Sequence, residues 1–576
     1  MPDPLEFCRS HGGGVDRHRA RLLATLAPPF EPSGPDDFLG KNFASVYFAL
    51  SMLGAFDGCH FFVPTLADCQ PSRQALARLG LTDGIEVHCS LELPDLLAAG
   101  RYAAFHVPDA FPHLANICHI RQRLGADFPI TAIIHSISYA SLEREILDLL
   151  SAPTRESDIV FCSSTAGAEA LINLFAHVRQ RKGMAAPIDL TLCVVPYGVD
   201  TSRFAPRDRS QARARVDLPG DRHYFLSLAR LSIHDKFDCG PLLEAFRRAI
   251  AELDEPWDLV LAGGARDPSY LDFVAEQIQD RGLAGRVHLR ANFDDALKPS
   301  YYAACDVFVS PSDNIQETFG LAVIEAMASG LPIVASDWDG YKDTVTETVG
   351  SRVPTYMPQL SRTLVDRQVL DNSLVHLLVG QAVAIDLGTL ATRMAELGRD
   401  AALRDRKGRA ARQRALELFS YEAVSDAIRA TLVRSGAGDG SRDTAAAPAS
   451  DSDPPAPEGD DVPLEALLDS VPGGTWSPFA LFRGHPTREL AADDRLVATE
   501  FGQEAIRREV KVYLCEEMHA LLYLERLRPI VRACADPRPL GSLQDELLAD
   551  GDDPERLLYS LYWLVKQGML DVLPPA

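Results

Sequence analysis

Between about residues 40 and 430, short apolar runs alternate with amphipathic segments of helical length. The first series of runs is CHFFVP (59–64), YAAFHVP (102–108), ITAIIHS (130–136), DIVFCSS (158–164) and LTLCVVP (190–196). The second is YFLSLAR (224–230), WDLVLAGG (257–264), RVHLRA (286–291), DVFVSPS (306–312) and LPIVASD (331–337). Such alternation predicts parallel sheets with helices on both faces. Two series predict two doubly wound α/β domains.

A stretch without aromatic or large aliphatic residues, 435–461, follows these domains. Its composition is typical of a disordered acidic linker. The segment beyond it, 462–576, is predicted to be a mainly helical, winged-helix-like module, because DPERLLYSLYWLVKQGMLDVLP indicates an amphipathic helix, a stop at Gly568 and a short strand. Its acidic excess argues against DNA binding and favours a protein partner or self-association. We expect its removal to leave the rest of the chain functional.

The formal net charge of −24 argues against nucleic acid or an anionic membrane as the main partner. No apolar run reaches the roughly 18 residues that a membrane-spanning helix needs, and the N-terminus lacks the apolar core of a secretory signal. The eleven cysteines are scattered without a CxxC pair, which is expected of buried thiols in a reducing compartment. These features predict a cytoplasmic protein without a transmembrane segment.

The stretch QETFGLAVIEAMASGLPIVAS (316–336) places Glu317 and Glu325 eight residues apart around a Phe-Gly turn. A predicted strand ends just before it, and Glu325 lies in the helix that follows. In doubly wound sheets, ligands bind at the carboxyl ends of strands and at helix N-termini. Two carboxylates there can accept hydrogen bonds from sugar and ribose hydroxyls. On spacing alone, capping by Glu317 and a solvated helix face at Glu325 are equally good explanations.

This stretch resembles the retaining GT-B glycosyltransferases of family 4, among the group 1 glycosyl transferases. The E-x7-E pair with Phe-Gly inside it, Glu-Ala-Met-Ala and Gly-x-Pro carry the resemblance. Four further segments agree in order, and with them it covers roughly 160–430: VVPYGVDTSRFAP (194–206), LARLSIHDKFD (228–238), LVLAGG (259–264) and YYAACDVFVSPS (301–312). Several ordered motifs together are specific where one would be weak. The chain departs from the family in Lys236-Phe237, where the family has a glycine after the lysine.

The resemblance implies the GT-B fold, in which two Rossmann-like doubly wound parallel-sheet domains face each other across a cleft. The chain then divides into an N-terminal Rossmann-like acceptor domain, a Rossmann-like nucleotide-sugar domain, a crossover helix, the linker and the C-terminal module. Their predicted bounds are 1–205, 206–414, 415–434, 435–461 and 462–576.

The resemblance also implies roles for the glutamate stretch. Glu325 would bind the ribose hydroxyls of a nucleotide-sugar donor, and Glu317 would hold the donor sugar near its reacting carbon. Phe319, Gly320 and Leu321 would offer backbone amides to the sugar and the phosphate.

Arg230 and Lys236 would neutralise the diphosphate leaving group, where charge builds up in the transition state; surface ion pairing is the alternative. His135, at the end of ITAIIHSIS, matches a family histidine near the donor sugar, and a structural histidine is equally expected. Gly40 matches the family's glycine-rich loop only in part, and a plain helix N-terminus explains it almost as well.

Two further features stand outside these motifs. Asp-x-Asp at 337–339 is a pattern that binds metal in another glycosyltransferase fold, but the resemblance implies no metal, and a polar loop is the expectation. Residues 355–380 lengthen the usual path and predict a lid, a docking surface or a structural extension.

Together these observations predict a hexosyltransferase-type enzyme that needs a nucleotide-diphosphate sugar and an acceptor, retains the anomeric configuration and requires no cofactor. A phosphorylase or a sugar-nucleotide epimerase on the same fold is one alternative. A non-catalytic scaffold that recruits a partner through the C-terminal module is another. The sequence leaves open the base, the sugar, the acceptor and the oligomeric state.

Overall fold

The structure, a computed structural model, describes residues 21–27, 40–78, 80–99, 102–184, 188–365, 370–434, 462–464, 468, 477–508, 512–549 and 551–575. The predicted linker lies outside the described residues. No helix in the described part of the chain combines the length and the apolar character needed to cross a membrane. The cysteines in the described part are free thiols, and all but Cys515 are buried, as predicted for them.

The first domain is built on a parallel sheet with the strand order β3-β2-β1-β4-β5-β6-β7. Its strands are β1 Leu22–Leu26, β2 Gly58–Val63, β3 Ile85–Cys89, β4 Tyr102–Val107, β5 Ile130–Ile133, β6 Ile159–Cys162 and β7 Thr191–Val194. Its helices are α1 Gly40–Leu53, α2 Leu66–Arg78, α3 Leu93–Ala98, α4 Ala110–Leu124, α5 Leu142–Leu150 and α6 Thr165–Lys182. The central strands β5 and β6 are buried at every position, as expected of a sheet covered on both faces.

The second domain has a parallel sheet with the strand order β10-β9-β8-β11-β12-β13. Its strands are β8 His223–Leu228, β9 Trp257–Gly263, β10 Val287–Ala291, β11 Val307–Ser310, β12 Ile333–Ser336 and β13 Gly350–Val353. The helices α7 Arg209–Arg215, α8 Cys239–Ile250, α9 Pro268–Asp280, α10 Lys298–Ala304, α11 Leu321–Ala328 and α12 Tyr341–Thr344 connect them. In this order the connections change direction between β8 and β11, so the loops after those strands meet at the topological switch point.

The two sheets confirm the predicted GT-B class of fold, and the ten predicted strands are all present. Sequence analysis missed β1, β3 and β13. The edge strand β3 alternates buried and polar residues, and β13, Gly-Ser-Arg-Val, offers almost no apolar run, so neither resembles a fully buried strand.

The crossover region consists of two helices, α15 Ala401–Leu418 and α16 Tyr421–Arg434, after α13 Asn372–Gly380 and α14 Leu387–Arg399. The predicted crossover helix 415–434 therefore covers the end of α15 and the whole of α16. Helix α16 packs on the first domain, where the Ser425 hydroxyl donates to the Ser51 carbonyl at 2.7 Å. The interdomain segment 194–206 is fastened to the same place, because the amide of Val199 donates to the Phe419 carbonyl at 2.7 Å.

The C-terminal module joins helices to a three-stranded antiparallel sheet in the order β18-β17-β19. Its elements are β16 Val462–Pro463, α17 Pro478–Leu481, β17 Arg495–Ala498, α18 Glu500–Arg508, α19 Leu524–Ala533, β18 Arg538–Pro539, α20 Leu540–Leu547, α21 Pro554–Lys566 and β19 Leu570–Leu573. The predicted final helix, the stop at Gly568 (φ 72°) and the short strand are confirmed. The short β16 pairs antiparallel with β7, so the module also extends the first sheet.

The described residues of the segment 355–380, which are 355–365 and 370–380, form a platform between the domains and the module. The short strands β14 Thr355–Tyr356 and β15 Ala384–Ile385 pair across its base. On one side, Ser138 of the first domain lies 2.8 Å from His376 (Oγ to Nε2). On the other, the Tyr559 hydroxyl of the module donates to the Leu378 carbonyl at 2.7 Å. Of the predicted alternatives, the contacts fit a structural extension that also docks the module.

A substitution at Gly198 would test how tightly the interdomain segment packs against α16. A Cβ at this position would lie 2.6 Å from Ser51 Oγ and 2.7 Å from Tyr421 Cδ1. Overpacking of this kind costs about 1–3 kcal/mol. We therefore expect Gly198→Ala to lower the free energy of unfolding in denaturant titrations by about that amount. Gly220→Ala is the control, because nothing lies within 4 Å of its added Cβ; equal losses in both variants would contradict the packing argument.

Candidate active site

The switch point brings the loops after β8 and β11 together. We call residues 311–320, between β11 and α11, the glutamate loop. The Lys236 ammonium from the first loop contacts the Glu317 carboxylate of the glutamate loop. Arg230 reaches the same loop, because its Nη2 donates to Gln316 Oε1 at 3.3 Å. The structure thus joins three of the predicted site residues in one cluster.

The Glu317 carboxylate is largely enclosed. The Tyr341 hydroxyl donates to its Oε2 at 3.2 Å, and the amide of Phe319 donates to its Oε1 at 3.4 Å. Burial alone would raise the pKa of Glu317, but the Lys236 ammonium and these hydrogen bonds outweigh it and hold the pKa below its ordinary value. Glu317 is therefore an anion at neutral pH.

Neither cation stands on an open surface. The side chain of Lys236 is 16% exposed and that of Arg230 is 25% exposed. Arg230 Nη1 also lies 3.6 Å from Asp235 Oδ2, so its charge is already shared with a neighbouring carboxylate. Simple surface pairing, the alternative for both residues, does not describe their environment.

Glu325 occupies a separate charged cluster on α11. Its side chain is 1% exposed, so a solvated helix face is excluded. Lys298 Nζ lies 2.7 Å from Oε2, the Tyr302 hydroxyl donates to Oε2 at 2.7 Å, and the Tyr47 hydroxyl donates to Oε1 at 3.4 Å. Sequence analysis missed these partners. Lys298 and Tyr302 lie one helical turn apart on α10, and this spacing was the signal that both side chains could contact one group.

The Phe-Gly turn requires its glycine. Gly320 has φ 96°, and a Cβ there would lie 2.2 Å from Tyr341 Cε1. Gly320 is the N-cap of α11, whose first turn, beginning at Leu321, has no side-chain cap. Phe319 is buried with its ring 5.3 Å from that of Tyr197 in the first domain. The helix N-terminus thus lies beside Glu317, with both domains in contact there.

His135 lies in the interior and is not exposed to the cleft. Its Nε2 is 2.6 Å from the Pro108 carbonyl and 2.9 Å from Ser45 Oγ, and its Nδ1 is 2.6 Å from the Tyr197 hydroxyl. A carbonyl only accepts, so Nε2 carries a hydrogen in this arrangement. A direct contact with a donor sugar would require one of these bonds to break, and such a role for His135 stays a prediction.

Helix α1 begins at Gly40, which fits the plain helix N-terminus weighed above. A phosphate contact at Gly40 stays a prediction. Ser45 and Tyr47 of the same helix contact His135 and Glu325, respectively.

The glutamate loop also touches the first domain directly. Thr318 Oγ1 donates to the His135 carbonyl at 3.0 Å, and Gln316 Nε2 donates to the Tyr139 hydroxyl at 2.8 Å. The two domains are therefore in contact at the candidate site.

The aspartates of the Asp-Trp-Asp loop fasten other parts of the chain. Asp337 Oδ2 accepts from Thr487 Oγ1 at 2.8 Å. Asp339 accepts from Ser164 Oγ at 3.1 Å and lies 3.0 Å from His485 Nε2, both atoms in the interior. Thr487 and His485 belong to the C-terminal module, so this loop is a junction of module and domains.

The module also contacts the glutamate loop. The Lys566 ammonium, 1% exposed, contacts the carboxyl group of Asp313, 4% exposed, at the start of that loop. Trp563 Nε1 donates to Gln381 Oε1 at 3.1 Å beside it. Burial raises the pKa of Asp313 from its ordinary 3.8 to about 7 even with the ammonium adjacent. The expectation that the rest of the chain functions without the module stays a prediction, and the module supplies a buried charge partner to Asp313 on the loop that carries Glu317.

Comparison with known proteins shows which family the second domain resembles. Residues 208–376 match the family model described as "Glycosyl transferases group 1". The matched range contains Arg230, Lys236, Glu317 and Glu325. Over this range the chain is similar to the group 1 glycosyl transferases, and its two sheets have the GT-B arrangement.

Curated relatives match in part. The chain is 30% identical to the lipopolysaccharide core biosynthesis mannosyltransferase LpsB of Rhizobium meliloti, over 34% of this chain and 56% of that protein. It is 30% identical to the D-inositol 3-phosphate glycosyltransferase of Streptosporangium roseum, over 42% and 54%. It is 27% identical to the phosphatidyl-myo-inositol mannosyltransferase of Mycobacterium tuberculosis, over 46% and 62%. The chain thus spans little more than half the length of these relatives.

Solved structures are similar at lower identity. Anabaena Alr3699/HepE in complex with UDP is 17% identical, with a TM-score of 0.48 over 72% of this chain and 100% of that one. Sucrose-phosphate synthase from Thermosynechococcus elongatus is 20% identical, with a TM-score of 0.46 over 72% and 98%. The fold assignment follows from the strand order of the two sheets.

Substitution of Lys566 tests whether the module stabilises the glutamate loop through Asp313. Removing one partner of a buried charged pair costs about 3–5 kcal/mol. We expect Lys566→Met to lower the free energy of unfolding by up to about that amount in denaturant titrations above pH 7, where Asp313 of the wild type is ionised. The control is Arg362→Met, which breaks an exposed pair with Asp553 between the platform and the module, worth at most about 1 kcal/mol. A loss no larger than that of the control would show that Lys566 does not stabilise the loop.

The raised pKa of Asp313 predicts a pH dependence of stability. The folded state holds the proton up to about pH 7, whereas the unfolded chain releases it near its ordinary value, about 4. Stability therefore falls as the pH rises through this window. The double variant Asp313→Asn/Lys566→Met lacks both groups and should not show this fall. Chemical unfolding at several pH values measures the difference, and parallel profiles for the two proteins would refute it.

Proposed function

We propose that this chain is a glycosyltransferase that moves a hexose from a nucleoside diphosphate sugar to an acceptor, with retention of the anomeric configuration and without a metal in the reaction. The observation that carries the proposal is the contact of Lys236 with Glu317 at the switch point. A cation and an anion meet there beside an uncapped helix N-terminus. That combination suits a ligand with both phosphate and hydroxyl groups.

Lys236 and Arg230 are proposed to bind the diphosphate. Negative charge develops on it as the bond to the sugar breaks, so cations held at that place stabilise the transition state more than the ground state. The amide groups of the first turn of α11, next to Gly320, add partial positive charge on the same side. The proton of the acceptor hydroxyl passes to the departing phosphate on the same face, and no side chain acts as the nucleophile.

The carboxylates are proposed to hold hydroxyl groups. The lowered pKa of Glu317 keeps it ionised, which suits an acceptor of hydrogen bonds from the sugar and not a general acid. Glu325, oriented by Lys298 and Tyr302, is proposed to accept from the ribose. His135 acts as a positioning residue in this proposal, since its carbonyl accepts from Thr318 on the glutamate loop. The contacts between the domains would exclude water from the reacting atoms.

The acceptor is left open by the proposal. The three curated relatives are named as a lipopolysaccharide core mannosyltransferase, a D-inositol 3-phosphate glycosyltransferase and a phosphatidyl-myo-inositol mannosyltransferase. Their names therefore do not indicate a common acceptor. A thermal-shift screen with UDP-, GDP- and ADP-hexoses identifies the donor first. A nucleotide sugar that is consumed only with free phosphate would favour a phosphorylase, and conversion without transfer would favour an epimerase.

Lys236→Ala tests the cationic part of the site. Loss of one charge-stabilising group costs about 2–4 kcal/mol in the transition state. We expect kcat to fall by roughly 30- to 1000-fold with the donor found in the screen. Lys182→Ala, at an exposed lysine on the last turn of α6, is the control and should keep full activity. A normal kcat in Lys236→Ala would remove this lysine from the reaction.

Glu317→Gln separates sugar binding from nucleotide binding. The variant keeps the shape of the side chain and loses its charge. We expect it to bind the free nucleoside diphosphate at least as tightly as the wild type, because Lys236 is no longer neutralised, and to lose most of its turnover. In Lys236→Ala, affinity for the diphosphate should fall as well. If Glu317→Gln turns over normally, the proposed hold on the sugar is wrong; if no donor stabilises the wild type at all, the chain is a scaffold.

A further inference from the structure

A cluster of potential metal ligands lies at the edge of the first sheet, and none of its residues belongs to the candidate active site. His60 on β2 and Glu86 and His88 on β3 offer ligand atoms that all lie within 4.8 Å of one another. His60 is directly opposite Glu86 in the parallel register, and His88 follows two residues later on the same face. Two imidazoles and a carboxylate on paired strands form a rigid set of potential metal ligands.

The distances suit a small divalent ion. His88 Nε2 lies 3.0 Å from Glu86 Oε2, and His60 Nε2 lies 3.7 Å from the same oxygen. Zinc binds nitrogen and oxygen ligands at about 2.0–2.1 Å, so ligand atoms around a tetrahedral ion are about 3.3 Å apart. The two observed separations bracket that value, and small side-chain adjustments would place all three atoms on one ion.

The outer nitrogens of both rings have partners that fix the orientation of the rings. His60 Nδ1 lies 2.8 Å from the Tyr102 hydroxyl, and His88 Nδ1 lies 3.5 Å from Glu92 Oε2. Metal-binding histidines are commonly oriented in this way by a carboxylate or another polar group on the second nitrogen. The arrangement directs both Nε2 atoms to the Glu86 carboxylate.

Burial divides the cluster into a fixed part and an accessible part. The side chains of His60 and His88 are 14% and 17% exposed, and the rings of His88 and Phe62 lie 5.8 Å apart. Glu86 is 62% exposed, so an ion can enter from solvent. A hydrogen-bonded His–Glu–His group without an ion would also produce the short contact of His88 with Glu86. Titration of the protein with zinc distinguishes the two cases.

We propose that His60 Nε2, His88 Nε2 and a Glu86 oxygen bind one divalent transition metal ion, with zinc the best match, and that water completes its coordination. Imidazole with carboxylate suits zinc and its neighbours in the first transition series. The ion would cross-link the edge strand β3 to β2, and through Glu92 it would fix the turn that follows β3. This site is independent of the proposed function, since none of its residues belongs to the candidate active site.

Zinc titration of the full-length chain, freed of any histidine tag and stripped with a chelator, tests the site by calorimetry. We expect the wild type to bind one equivalent more than the double variant His60→Gln/His88→Gln, and cobalt to give the absorption of a tetrahedral centre only in the wild type. His119→Gln, at an exposed histidine of α4, is the matched control and should keep the equivalent. Equal zinc binding by wild type and double variant would overturn the proposal.

Glu92→Gln keeps the test decisive if the double variant fails to fold. This change leaves all three proposed ligands in place and alters only the group that orients His88. We expect a 10- to 100-fold loss of zinc affinity. Zinc should also raise the Tm of the wild type, because an ion bound only by the folded state stabilises it. An unchanged affinity in Glu92→Gln, or a wild-type Tm indifferent to zinc, would count against the site.

Discussion

Charge compensation inside the second domain is the constraint on which the candidate site depends. One short stretch, from the glutamate loop into α11, carries three buried carboxyl groups, and each contacts a lysine from a different part of the chain. The pairs are Asp313 with Lys566, Glu317 with Lys236, and Glu325 with Lys298. An uncompensated charge in the interior costs several kcal/mol. The conformation of the loop is therefore stable only when three distant segments are in place.

This constraint explains why an appended module belongs to the architecture of the site. Lys566 comes from the last helix of the chain, yet its partner lies four residues before Glu317. The same module supports the Asp-Trp-Asp loop through His485 and rests on the platform at 355–380. The module therefore supplies one of the two lysines that contact carboxyl groups of the glutamate loop, and the loop after β8 supplies the other, Lys236.

The sequence predicted the parts whose signals are local. Fully buried strands appear as continuous apolar runs, so β5 and β6 were identified, whereas the alternating edge strand β3 was not. Ordered motifs predicted that the segments of Lys236 and Glu317 meet, and the contact of the two residues agrees with that prediction. Lys566 and Asp313 are 253 positions apart in the sequence, and no local pattern predicts that they pair. Long-range charge pairs of this kind follow from the packed structure alone.

The charge balance of the candidate site also bears on how a donor would bind. Lys236 is neutralised by Glu317, and Arg230 is shared with Asp235, so the cluster has little net charge to offer a diphosphate. In the proposed reaction, donor binding must therefore redirect these cations from carboxylates to phosphate oxygens. The contact of Glu317 with Lys236 then weakens, and the carboxylate accepts hydrogen bonds from the sugar hydroxyls in its place. The hydrogen bonds from Tyr341 and Phe319 keep the carboxylate in position. The exchange couples the two ends of the donor, because the cations become free for phosphate only as hydroxyls satisfy the carboxylate.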